Sequence, residues 1–263
     1  TTLFRSQVKS YHEKRLILFS GIRVITLFWV VLGVTFTVSI GLAKNTQAVY
    51  YFVNNSWVFL VVYGSLYAFD LMLFLNGFFA GYGLIATTAT AEPSVKNWAR
   101  IIMHRVFRLA PAYYVCIIIY WRILPYLGGG PLWYQAMKIT SQCDKLWWHN
   151  FLLIDNVVDN GPDAPHCFPW GAYVGLEFQL LPFAPLVCWI YNANKKYGRV
   201  LLSFLISASL GATLIYALAY EFPYECPPQT LNFNIWRRFY VNPIMRASSY
   251  FAGMLLGIMY RKF

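Results

Sequence analysis

Apolar residues in this chain fall in long runs, not in the alternation of half-buried strands or the narrow stripe of a soluble amphipathic helix. Windows of roughly 20 apolar residues occur at about 24–43, 57–86, 106–126, 171–192, 199–220 and 243–260. Each is long enough to cross about 30 Å of hydrocarbon as a helix, which satisfies its own backbone polar groups. The pattern therefore predicts an all-α polytopic transmembrane helical bundle of about six spans. There are no internal repeats or low-complexity linkers, so residues 1–263 read as a single membrane domain. The second window is long enough to tilt, or to break at Asn76-Gly77, and Pro182 and Pro185 should kink the fourth. The one large connection, at about 127–170, is rich in Gly, Pro and Asp and predicts low helix content. Its Trp133, Trp147, Trp148 and Trp170 suit a segment on the membrane surface, where an indole keeps its N–H wet.

Composition sharpens the class. Of 263 residues, 59% are hydrophobic, 19% aromatic and only 12% charged. Soluble domains carry about 25% charged residues, so half that fraction excludes an ordinary soluble fold. The net charge of +11 would suggest nucleic acid, but the charges sit at span ends, and no nucleic-acid partner is expected. With six spans, the side holding the N-terminus collects fourteen of the 21 lysines and arginines, among them Arg5, Lys96, Arg105, Arg108, Lys195 and Arg261. The opposite side collects six of the ten acidic residues, including Asp144, Asp155 and Glu221. The positive-inside rule then places both basic termini in the cytosol, or in the matrix of a mitochondrion. The first residue is Thr and the opening TTLFRSQVKSYHEKR is polar and basic, so the N-terminus reads as processed or incompletely covered, without a recognisable signal peptide.

Cys116 and Cys188 fall inside spans as small apolar fillers, whereas Cys143, Cys167 and Cys226 fall on the acidic side. A Cys143–Cys167 bridge would close most of the large loop and contribute on the order of 3 kcal/mol in an oxidising compartment. Cys226 would be left odd. No His or Cys pair has zinc-ligand spacing, so no metal site is expected.

Two carboxylates, Asp70 and Glu177, lie within spans. Each is either a proton-handling or substrate-positioning group, or half of a structural pair with a cation such as Arg246 or Arg105. For Glu177 the expected partners are Arg246 first and Arg23 second. Arg105 and Arg108 share a helix face at i, i+3 and should hold an anion, either phospholipid headgroups or the phosphates of a soluble ligand. In GIRVITLFWVVLGVTF, Arg23 stands at the mouth of the first window and Val34 lies roughly 16 Å deeper, near mid-bilayer.

These segments, with AFDLMLFLNGFFAGYGL, HRVFRLAPAYY, QCDKLWWHNFLLIDN, CFPWGAYVGLEFQLLPFAPL and NPIMRASSYFAGMLLGIMYRKF, resemble in order the membrane-bound acyltransferase-3 family, in particular its nose-resistant-to-fluoxetine branch. The resemblance runs from about residue 18 to the end. It implies a helical bundle that moves acyl groups from acyl-CoA to an acceptor, with an arginine, ten intervening residues and then a histidine as acid/base. Arg23 keeps the arginine, and Val34 occupies the histidine position. Arg105, Arg108, Trp170, Tyr173, Glu177, Gln179 and Arg246 match the family pattern, and Cys143 and Cys167 match its loop cysteines. The family usually continues with further spans where this chain stops.

Valine neither gives nor takes a proton, so the degenerate Arg23/Val34 site lacks general acid/base chemistry. Of the other histidines, His12, His104, His149 and His166, only His104 falls near the basic-side mouth. The expectation is a non-catalytic relative: an accessory, structural or lipid-binding subunit of a larger membrane complex in the mitochondrial inner membrane or the secretory pathway, in contact with bound phospholipids and other subunits, with no cofactor. The alternatives are an active O-acyltransferase using acyl-CoA and a non-standard base, or a transporter built on Asp70 and Glu177.

Overall fold

A computed structural model of the chain describes residues 2–41, 45–130, 133–158, 166–168, 171–219 and 241–262. Among these residues every regular element is helical. The α-helices in order are α1 (Thr2–Gly41), α2 (Thr46–Asn55), α3 (Trp57–Tyr63), α4 (Ser65–Thr90), α5 (Val95–Ile118), continued by a π turn (Ile119–Ile123) and a 3-10 turn (Leu124–Tyr126), α6 (Trp133–Ser141), α7 (Cys143–Phe151), α8 (Ala172–Leu180), α9 (Phe183–Ala193), α10 (Lys195–Ala219) and α11 (Pro243–Lys262). The all-α helical bundle expected from the apolar runs is the fold.

Five stretches are long and apolar enough to cross a membrane: Leu16–Phe36, Tyr67–Thr90, Val95–Tyr126, Ala172–Ala193 and Lys195–Ala219. The sixth expected span is a helix, α11, but falls outside that group. Its sequence carries Arg246, Ser248 and Ser249 along with glycines, and protein covers one face of it, where Tyr250, Met254 and Ile258 are fully buried. A helix lined by neighbours tolerates polar and small residues that a lipid-facing one does not.

α4 and α11 form the centre. Glycines at i, i+4 on each helix, Gly77 and Gly81 against Gly253 and Gly257, let the two backbones touch. A Cβ on Gly77 would collide with the Tyr250 carbonyl, and one on Gly253 with the Phe74 carbonyl. The pairings advance together along both helices, so α4 and α11 run parallel. Where lipid tails are as apolar as leucine, such close approach is a main source of helix association. α9 and α10 complete the core through Ala184, Val187, Cys188 and Leu202. Side-chain hydrogen bonds pin them: Asn192 Nδ2 donates to Ile85 O at 3.0 Å, and Ser209 Oγ to Ile244 O at 2.7 Å. α1 and α10 are peripheral, each with 11% of its most apolar window buried against 56% for the span in α4.

Four expectations need correction. The second window does not break at Asn76-Gly77; it breaks at Gly64, between α3 and α4, because Gly77 serves the α11 contact instead. The first span begins at Leu16, since LILFSGI ahead of Arg23 is itself apolar. Arg23 therefore sits about 10 Å inside the span, and Val34 lies towards its far end instead of mid-bilayer. The 127–170 connection contains two helices, α6 and α7, because its Gly and Pro residues cluster at the ends and leave WYQAMKITSQCDKLWWHNF uninterrupted. Cys116 is exposed on α5 and fills no core position, unlike Cys188. The fourth span is interrupted at Leu181-Pro182, between α8 and α9, whereas Pro185 lies within α9 without breaking it. Trp170 and Cys226 lie outside the described residues.

Cys143 and Cys167 are joined by a disulfide, which fastens the start of α7 to the segment leading into α8. Mass mapping under non-reducing conditions is expected to recover the two cysteines in one cross-linked peptide. Cys143→Ser should lower stability by about 3 kcal/mol, the loop-closure contribution of a bridge of this span, read as a lower thermal midpoint. Two free thiols in the native protein would contradict this.

Candidate functional site: an arginine-lined cavity

Each helix around the cavity contributes residues at helical spacing, so one face of each points inward. α1 supplies Arg23 and Leu27, α4 Met72, Asn76 and Phe79, α5 Arg105, Arg108 and Leu109, and α8 Tyr173 and Glu177. Together they enclose about 450 Å³. That lies within the range of about 300–1,000 Å³ typical of small-molecule sites.

Asn76, 6% exposed, is the hub. Its Oδ1 accepts a hydrogen bond from the Arg23 guanidinium, and Nδ2 donates to the Tyr173 hydroxyl at 2.8 Å and to Glu177 Oε2 at 3.0 Å. One amide thereby ties α1 and α4 to α8 and uses all its hydrogens. The Arg23 guanidinium also lies 4.8 Å from the centre of the Phe79 ring, a cation–π contact that helps hold a charge inside the span. Arg105 and Arg23 are the cations whose charge acts on Glu177.

The expected residues thus divide into three places. Arg23, Arg105, Arg108, Tyr173 and Glu177 come together in the cavity. Asp70 and Arg246 do not join them. They form an ion pair at the α4–α11 crossing, where Ser249 Oγ also donates to Asp70 Oδ1 at 3.3 Å. The expected Glu177–Arg246 pairing is therefore wrong: parallel packing of α4 and α11 sets Arg246 beside Asp70, and Glu177 is left to Asn76. The second candidate partner, Arg23, reaches Glu177 through that same asparagine.

Gln179, two residues past Glu177, projects from the other side of α8 into the loop layer. It exchanges hydrogen bonds with Asn156 at 2.7 and 3.1 Å and donates to Leu153 O at 2.8 Å. Asn156 also donates to Val241 O at 2.9 Å, so this amide pair anchors the loop to the start of α11. Asp155 and His166 form a buried pair at 3.0 Å nearby. Gln179 is a structural anchor of the loop and takes no part in the cavity.

Neither Val34 nor His104 lines the cavity; His104 is exposed and precedes Arg105 by one residue, about 100° around the helix. Sequence reading missed the part played by Asn76, although an asparagine in the middle of a membrane-spanning helix was its signal.

No family model matches the chain, and no solved structure matches it. Over 205 residues the chain is 22% identical to the regulator of hypoxia-inducible factor 1 of Caenorhabditis elegans. That stretch covers 72% of this chain and 39% of the worm protein, so the chain spans about two-fifths of the length of that relative.

Proposed function

We propose that this chain is a non-catalytic, acyltransferase-3-like integral membrane protein that holds an anionic lipid in the arginine-lined cavity and serves as an accessory subunit of a larger membrane complex. The observation that carries the reading is the cavity itself: three guanidinium groups converge on it, and no imidazole lines it among the described residues. Guanidinium forks match phosphate and carboxylate oxygens, which suits retention of a ligand. General acid/base help is typically worth about 10²–10⁴-fold in rate, and no histidine lines the cavity among the described residues to supply it. The thinly covered outer faces of α1 and α10 suit contact with lipid or with neighbouring subunits. The basic side faces the cytosol or the mitochondrial matrix in this reading, as the charge distribution favours.

One observation favours a second reading, an active O-acyltransferase. Glu177 is a carboxylate inside the cavity and is chemically able to accept a proton from an acceptor hydroxyl. Turnover decides between the two. Purified protein is incubated with acyl-CoA and a panel of lipid and sugar acceptors, beside Val34→His, Glu177→Gln and His104→Ala. The expected result is no acyl transfer by the unmodified chain or by Val34→His, since position 34 lies away from the cavity. Turnover that disappears in Glu177→Gln or His104→Ala would establish the enzyme reading.

A further inference from the structure

The cavity's charges do not balance. Arg23, Arg105 and Arg108 face one carboxyl group, Glu177. Arg23 already donates to Asn76, whereas Arg105 and Arg108 donate to none of the described residues. With Glu177 ionised, the surplus is two positive charges, which a phosphate monoester offsets and a phosphate diester, with one negative charge, does not.

A carboxylate beside an anion would repel it unless the ligand also brings a donor. Glu177 spends Oε2 on Asn76, and Oε1 accepts nothing from the described residues. The Tyr173 hydroxyl accepts from Asn76, so its own proton is directed to no described residue. An ammonium group would fill Oε1 only by entering a space shared with three guanidiniums. A neutral hydroxyl fills it without that repulsion. The remaining wall is apolar, and Val24 and Leu27 carry it out to the exposed face of α1, where they are 53% and 50% exposed. An acyl chain leaving the cavity there would run directly into lipid.

We infer that the cavity selects a single-chain lipid whose head is a phosphate monoester beside a free hydroxyl, the chemistry of a lysophosphatidate, with the phosphate on Arg105 and Arg108 and the hydroxyl on Glu177. This rests on the reading that the cavity retains an anion, and it adds which anion.

The test uses the full chain, delipidated in neutral detergent. Oleoyl lysophosphatidate, dioleoyl phosphatidate, dioleoyl phosphatidylglycerol, coenzyme A and dephospho-coenzyme A are titrated by calorimetry and native mass spectrometry. Lysophosphatidate is expected to bind at least about tenfold tighter than phosphatidylglycerol, and Arg105→Gln to remove most of that affinity. Glu177→Gln, nearly isosteric and still able to accept from Asn76, should shrink the preference for lysophosphatidate over phosphatidate while phosphatidate binding persists. Should Arg105→Gln fail to fold, Arg105→Lys keeps the charge, loses the fork and is expected to weaken binding in the same direction. Equal affinity for phosphatidylglycerol and lysophosphatidate would overturn this inference and leave anion retention standing. Anionic lipid retention untouched by either Arg105 variant would overturn the underlying reading. Coenzyme A binding tighter than dephospho-coenzyme A, with lysophosphatidate unbound, would show a soluble phosphate monoester as the source and overturn the lipid.

Discussion

Gly253→Leu is expected to separate α4 from α11 and leave little folded protein in detergent. The obstacle is backbone: a Cβ at position 253 overlaps the carbonyl of Phe74 and approaches the amide of Phe78. Side chains escape an added group by changing rotamer, but a helix backbone escapes only by moving as a whole. Overpacking of a core typically costs about 1–3 kcal/mol, and rigid backbone neighbours place this substitution at or above the upper end. Displacement would also uncover Tyr250, Met254 and Ile258, which are buried against α4 and its neighbours. Gly253→Ala should fall between wild type and leucine. The control is Gly83, with nothing within 4 Å of a built Cβ. Gly83→Ala should be neutral, or stabilising by up to about 1 kcal/mol through helix propensity. Monodispersity and thermal midpoint by fluorescence-detected size exclusion give the ranking. A Gly253→Leu protein as stable as Gly83→Ala would refute parallel glycine-mediated packing of these helices.

The second large effect is expected from Arg246→Met. It removes the cation from a pair whose side chains are only 13% exposed for Arg246 and 24% for Asp70. The Ser249 hydroxyl at 3.3 Å would then be the one side-chain donor left to Asp70 among the described residues. Breaking a buried pair by removing one partner costs about 3–5 kcal/mol, because the survivor is desolvated and unpaired. Partial exposure places the expectation at the lower end, about 3 kcal/mol. Asp70→Asn in the same protein should recover much of the loss, since the uncompensated charge is then gone. Equal damage from the single and double variants would mean that Arg246 acts by packing and not by pairing with Asp70.

Long apolar runs and few charges were enough for the helical class, because a bilayer leaves a chain almost no other way to satisfy its backbone. The break at Pro182 was legible from its missing backbone donor, although Pro111 and Pro185, which lack the same donor, lie inside α5 and α9. The i, i+3 spacing of Arg105 and Arg108, and the i, i+4 spacing of Tyr173 and Glu177, already put each pair on one helix face. Local composition misled where burial depended on a neighbour. The window at about 243–260 reads as a span like the other five, whereas the serines, arginine and glycines of α11 are tolerated because α4 covers them. The sequence offered Arg246 or Arg105 as the partner of either carboxylate, and Asp70 does pair with Arg246, but which carboxylate takes which partner was beyond it. Helical spacing relates residues within an element, whereas Arg246 meets Asp70 and Glu177 meets Asn76 only through the parallel direction and register of separate helices. The sequence by itself therefore determined which side chains share a face. The tertiary structure decided which faces meet, because helix contacts in a membrane depend on shape and hydrogen bonding between distant segments and not on hydrophobicity.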